Sequence, residues 1–232
     1  MSTGAGSRRA AKIAGGAAAA AIAVLVLAQL LLPGIAARMV RRKIEKYGTV
    51  ESVKVKAWPA VKLVWGEVDE VKVKAGRLKL SEGQTVALLK EAKGVDRMDT
   101  TAESVEVGSL RMTSTSLQKH GSALRAEGQV SEEDVKRALP EGFEVALVKS
   151  EGGTVQVRAS GGLFGVSASV EAVAEAEDGK LVAHPRVFPL EGLKLTVFEN
   201  PNVYVEGVEA RALEGVKGEG AKYELSMWAR LR

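Results

Sequence analysis

The 232-residue chain contains no cysteine. Disulfides, thiol nucleophiles and Cys-bearing metal sites are therefore excluded, and passage into an oxidising compartment poses no pairing problem. Histidine is almost absent. His120 and His184 stand far apart, and neither sits in the H-x-x-x-H spacing of a helical zinc site. Both read as surface or loop residues, and nothing calls for a metal or other cofactor. Aromatic residues make up only 4% of the chain, so its interior must be built from Val, Leu and Ala. Charge of one sign is also lacking: 33 Lys and Arg face 29 Asp and Glu, a net +4 with a pI near 9.2. The basic residues are dispersed and not interleaved with aromatics, which argues against a nucleic-acid groove. An anionic lipid surface suits this balance better, beside the plain alternative of ordinary solubility.

One long uncharged run is present. Arg8, Arg9 and Lys12 precede Ile13–Ala37, where Gln29 is the only strongly polar side chain. Roughly 20 apolar residues span a bilayer core, so the run predicts a transmembrane anchor over 13–37 behind a cytoplasmic basic terminus, 1–12. A cleaved signal peptide competes, with Gly34-Ile35-Ala36 before Ala37 as its cleavage site. Arg38, Arg41, Arg42 and Lys43 after the run balance the basic residues before it, so charge does not orient the span. The basic cluster also fits a helix on the membrane surface, with Ile35, Met39, Val40 and Ile44 as its apolar stripe. A helix over about 36–47 is predicted to end at Gly48.

The strongest pattern lies just beyond. Val50-Glu51-Ser52-Val53-Lys54-Val55-Lys56-Ala57 and Val68-Asp69-Glu70-Val71-Lys72-Val73-Lys74-Ala75 are two near-identical ladders of period 2. Each predicts a strand with one apolar face. Between them Trp58-Pro59-Ala60-Val61-Lys62-Leu63-Val64-Trp65-Gly66 reads as a discrete turn or helical turn, an apolar plug at the end of two strands. The greasy face so formed needs a cover, and little covering material is evident.

Residues 85–93 predict a short amphipathic helix closed by Gly94. Ser131-Glu132-Glu133-Asp134 predicts a second, with Ser131 as N-cap and a stop before Pro140. Strands fill the rest: 104–112, 124–130, 143–148, 154–159, 166–174, 180–184, 193–198, 203–210 and 223–231. The pairs Gly152-Gly153, Gly161-Gly162 and Asp178-Gly179, with Asn200-Pro201-Asn202, mark turns. Gly215, Gly218 and Gly220 suggest another.

The expected fold is α+β, mostly β: a long, strongly curved antiparallel sheet wrapped around short helices, an elongated half-pipe or barrel over 38–232 with an apolar interior. Small residues recur on its inner face, at Ala57, Ala75, Ala126, Ala159, Ala168 and Ala172. Such a lining leaves two readings: a sheet packed on its own helices, or a cavity for a flexible apolar ligand.

The block from Val53 to Val73 resembles the signature of the LmeA-like phospholipid-binding proteins of bacterial cell envelopes. Trp58-Pro59 stands where that family has an aromatic-Pro pair, Val61, Leu63 and Val64 match its apolar positions, and Gly66 precedes an acidic-flanked second strand. The steps Val130–Val135 and Asp178–Pro185 look similar too. The resemblance implies a non-enzymatic protein, membrane-tethered or secreted, that holds phospholipid acyl chains in an elongated, tubular-lipid-binding-like β-structure at the outer face of the cytoplasmic membrane. Its partners would be phospholipid or a lipid-linked envelope precursor and the membrane itself, with no nucleic acid. The candidate lipid-binding residues are Val55, Trp58, Pro59, Val61, Leu63, Val64, Trp65, Val71 and Val73. The match of the tail, Val187–Arg232, cannot be judged from the pattern.

No G-x-S-x-G, Walker A, H-E-x-x-H or complete G-x-G-x-x-G motif is present. Glu132, Glu133 and Asp134 read as a helix start, and Asp69 and Glu70 point to opposite strand faces. Two other functions stay open: an envelope interaction module with a self-packed core, and a hydrolase whose Ser, Asp and His meet only in space.

Overall fold

A computed structural model describes residues 26–138, 143–163, 166–186, 193–213 and 221–232. A helix over residues 26–44 (α1) leads into β1 (Gly48–Lys56), a 3-10 helix (Ala60–Trp65) and β2 (Val68–Leu80). Next come α2 (Glu82–Glu91), β3 (Val95–Val107), β4 (Leu110–His120), β5 (Ala123–Ser131) and α3 (Glu132–Ala138). The chain continues through β6 (Phe143–Glu151), β7 (Thr154–Leu163), β8 (Val166–Glu177), β9 (Lys180–Pro185), β10 (Leu195–Phe198), β11 (Val203–Leu213) and β12 (Lys222–Leu231).

The mostly-β expectation holds, but the single curved antiparallel sheet does not. The strands form a seven-stranded sheet, β1-β2-β3-β4-β5-β12-β11, and a five-stranded sheet, β10-β9-β8-β7-β6, with no closed barrel among the described residues. The β2–β3 pair is parallel. Parallel neighbours need a crossover rather than a tight turn, and α2 with its 3-10 extension Ala92–Gly94 supplies it. The Ser81 hydroxyl accepts from the Gln84 N–H while the Gln84 side chain accepts from the Ser81 N–H, a capping box that starts this crossover. The Val187–Arg232 tail supplies β10, β11 and β12, so it is integral to both sheets.

The two ladders pair as an antiparallel hairpin, Val53 opposite Val73 and Val55 opposite Val71. Their register runs on across the whole larger sheet. Val55, Val71, Met98, Lys119, Leu124, Ala229 and Val205 form one row, strand by strand. Val53, Val73, Thr100, Leu117, Ala126, Met227 and Val208 form the next. A bulge between Val205 and Gly207 keeps Val205 and Val208 on the same face.

That face is covered by α1 at one end and by the smaller sheet at the other, with Leu89 of α2 also packed against the core there. At the β1–β2 end, Ala36, Ala37, Val40 and Ile44 of α1 pack on Val55, Val71 and Val73. Their spacing is the i, i+4, i+8 stripe of an amphipathic helix. At the β11 end the five-stranded sheet covers it, and Val155, Val203, Val205, Val208, Ala210, Leu124 and Ala229 form the core between the sheets. Strand β11 is the wedge: its Val205, Val208 and Ala210 N–H groups donate to Gly179 O, Gly153 O and Ser150 Oγ of the smaller sheet.

Several local expectations shift. Gly48 begins β1 instead of capping a helix, and a Cβ there would lie 1.9 Å from the Arg77 carbonyl oxygen. Gly161 and Gly162 lie within β7, paired with Ala168 and Ser167. Ser131 does cap α3, its Oγ accepting from the Asp134 N–H. Pro140 and the Gly215–Gly220 stretch lie outside the described residues, as does the side chain of Ala168. Among the described residues no helix is long and apolar enough to cross a membrane. Residues 13–25 of the expected anchor lie outside them.

Candidate functional site

At the hairpin end, Pro59 sits in extended backbone and Gly66 closes the 3-10 helix in the left-handed region at φ 78°. The short helix buries only Ala60. Leu63 packs on the α1–hairpin cluster and Val61 is half-buried. Trp58 and Trp65 are each 72% exposed and Val64 69%, with Pro59 exposed beside them. The expected plug is thus turned outward. A 3-10 turn eclipses residues three apart, so Ala60 and Leu63 share the inward side, while Val64 and Trp65 at its end face water. Val55, Val71 and Val73, the other candidates from the sequence, are buried beneath α1.

Gln29 fastens helix to turn. Its Nε2 donates to the Ala57 carbonyl at 3.0 Å and its Oε1 accepts from the Ala60 N–H at 2.6 Å. The Trp58 N–H donates to Asp69 Oδ2. Asp69 also pairs with Lys62 at 3.6 Å. A groove of about 440 Å³ beside this junction is lined by Gln29, Pro33, Val55, Trp58, Glu70 and Arg97, among others.

The second apolar surface lies between the sheets. Its buried seam is narrow, centred on Val205 at 1% exposure. Leu117, Leu225 and Met227 on the larger sheet and Leu147, Val157 and Phe198 on the smaller pack against that seam but stay only half-buried. Two twisted sheets in contact along one edge strand splay apart away from it. These half-buried side chains are the apolar surface that the seam leaves incompletely covered. Glycine assists at the line of contact: a Cβ on Gly179 would meet the Tyr204 ring at 2.3 Å.

The opposite face of the larger sheet is polar, with a groove of about 510 Å³ where Lys72, Arg97 and Arg125 meet Glu70, Asp99 and Glu206. Arg125 stacks over Trp228, 5.8 Å from its ring centroid. Glu106 bridges Lys79 and Arg111, and hydrogen bonds from these two cations hold its carboxyl below the usual 4.5. One charge lies on the apolar side. Lys119, 5% exposed, donates to the Val95 carbonyl, and burial pushes its ammonium pKa below 10.5 against the pull of Asp96.

His184 contacts Glu177 at 3.1 Å and Glu175 at 3.6 Å, and neither histidine hydrogen-bonds a serine among the described residues. The structure thus adds three features that sequence reasoning passed over. Gln29 stood out only as a polar exception in an apolar run. Lys119 belongs to an apolar row visible only once six pairings are known. Around the inter-sheet seam, the half-buried Leu117, Leu147, Val157, Phe198, Leu225 and Met227 come from five strands.

The sequence model of the LmeA-like phospholipid-binding family matches residues 23–219, most of the chain. Neither the curated proteins nor the solved structures contain a match.

Proposed function

The chain belongs to the LmeA-like phospholipid-binding family, and from that premise we propose that it holds phospholipid acyl chains, without catalysis, in the trough between its two sheets. One observation carries the reading: the half-covered ring of Leu117, Leu225, Met227, Leu147 and Val157 around the Val205 seam. A methylene removed from water gains about 0.8 kcal/mol, so a sixteen-carbon tail gains on the order of 10 kcal/mol gross. A basic residue near a headgroup adds only about 1 kcal/mol. The apolar wall therefore governs binding, and surface cations bias the headgroup. Val55, Val71 and Val73 already spend their surface on α1, which favours the trough over the hairpin as the tail site.

The proposal places the domain outside the cytoplasmic membrane on an uncleaved single-pass anchor over 13–37. Support comes from α1 itself. Cleavage before Ala37 would remove Gln29 from Ala57 and Ala60 and take Ala36 off the hairpin cluster. The test uses the full chain in vesicles doped with a phosphatidylcholine bearing a photoactivatable acyl chain. Labelled peptides from β4, β6, β7 and β12 are expected. Labelling confined to α1 and the hairpin end would defeat the trough.

A second reading has its own observation. Leu195 and Val197 on edge strand β10, with Leu193 before it, are exposed. An open apolar edge invites strand pairing with another protein, and a lipid-free trough in the same labelling experiment would favour that role.

A further inference from the structure

We infer that the hairpin end is a bilayer-docking foot: α1 and the Trp58–Gly66 turn enter the membrane interface together, locked by Gln29, so the domain sits flush on the lipid and does not hang from a linker. The inference rests on the anchored reading above and adds the domain's posture and the residues that set it.

The exposed side of α1 changes character along its length. Val26, Leu27, Leu30, Leu31 and Ile35 face outward without a protein cover, and Leu30 is 72% exposed. Arg38 and Arg42 follow on the same exposed side, and neither has a carboxylate partner among the described residues. The apolar half is continuous with the uncharged residues 13–25 that precede it in sequence. Cations flanking an apolar helix mark the headgroup level, here between Ile35 and Arg38.

Gln29 then fixes the depth of the turn. It lies nine residues before Arg38, about 13 Å along the helix axis at 1.5 Å per residue. Because Gln29 is bonded to Ala57 and Ala60, the Trp58 turn must lie at the level of Gln29. An upright α1 would put the turn deeper than the roughly 5–10 Å that interfacial segments insert, so the foot requires α1 to lie oblique to the bilayer, with the turn at the boundary of headgroups and acyl chains. Trp58 and Trp65 suit that boundary because indole is apolar with one N–H.

Hydrogen bonding gives the stronger argument. Irregular backbone is tolerated near hydrocarbon only when its polar groups find protein partners. The Gln29 side chain is costly in an apolar run unless paired. Each solves the other's problem: the amide satisfies Ala57 O and Ala60 N–H, and Asp69 satisfies Trp58 N–H. Lys62, paired with Asp69, has the reach to keep its ammonium among headgroups.

The three tryptophans supply the test. The full chain is reconstituted in phosphatidylcholine–phosphatidylglycerol vesicles whose acyl chains carry bromine, a contact quencher of indole. In Trp228→Phe, which retains Trp58 and Trp65, emission is expected blue-shifted and quenched several-fold more strongly than in the double variant W58F/W65F, which reports Trp228 on the polar face. Equal quenching in the two variants would overturn the foot and leave the exposed end to a protein partner. Gln29→Leu keeps the apolar run and is expected to stay carbonate-resistant in the membrane while Trp58 and Trp65 quenching falls toward the Trp228 level. Unchanged quenching in a folded Gln29→Leu chain would overturn the lock. Acyl-chain labelling of β4, β6, β7 and β12 is independent of both outcomes, so failure of the trough and failure of the foot read out separately.

Discussion

The two ends of one cross-sheet row have opposite fates. Val55 and Val71 are roofed by α1, a single amphipathic helix whose Ala36, Ala37, Val40 and Ile44 fit against them at close range. Ala229 and Val205, strands away on the same face, are met by a second sheet that touches along β11 and then diverges. A helix follows the line it covers, whereas a twisted sheet diverges from another twisted sheet. The same Val-and-Ala lining is therefore fully buried at one end and only half-buried around the seam at the other, which is why the lipid tail is proposed for the second end and not the first. Lys119 stands in the row between them.

Breaking the sealed end should have the largest effect. Val40→Asp sets a carboxylate against Val55, Val71 and Val73, an uncompensated buried charge that costs about 3 kcal/mol or more. Urea unfolding should show this loss, and acyl-chain labelling of the trough should survive wherever the chain remains folded. At the open end, Val205→Ala empties the contact seam and should cost about 2 kcal/mol. Met227→Ala, on the half-covered wall, should cost less than about 1 kcal/mol yet lower the labelling of β12. Equal costs at Val205 and Met227 would mean that the trough is as tightly packed as the seam.

The smaller effects concern charge. Lys119 has its pKa lowered in the folded state, so the chain is penalised while the ammonium is protonated; stability should rise as pH climbs through the folded value toward 10.5. Lys119→Met should abolish that alkaline rise in thermal melts recorded across the range. Glu106 has the opposite sign. Its carboxyl is held below 4.5 by Lys79 and Arg111, so its contribution is complete above 4.5 and is lost as pH falls through the folded value. Glu106→Gln should shift the acid midpoint only slightly, because exposed pairs contribute little.

The strands of the sealed end were legible in the sequence; its cover and the open end were not. Period-2 alternation in two near-copies announced β1 and β2, and the expected cap Ser131 stands at a real helix start, whereas the Ser81 capping box was not foreseen. Alternation says which way a side chain points and nothing about which strand lies beside it. Hence β2 and β3, separated by a correctly read helix, were not recognised as parallel neighbours, and β3 before Ser104 passed unnoticed because its inward Met98, Thr100 and Ala102 make a faint pattern. The trough needs the long-range pairing of β5 with β12 before its walls exist. At the hairpin the directions differ from the expectation: Trp58 and Trp65 of the expected plug are exposed, and the cover is the helix expected along the membrane surface, whose Val40 and Ile44 pack on Val55, Val71 and Val73.

That pairing of Ala123–Ser131 with Lys222–Leu231 also sets an order of assembly. The smaller sheet closes strand by strand with its sequence neighbours, so it can form while the chain is still being delivered. The larger one must wait, with β5 as a bare edge, until the final hairpin arrives and slots β11 against both. However the chain is delivered, the larger sheet thus remains unfinished until its last strand arrives, and only then do the two sheets close on the Val205 seam.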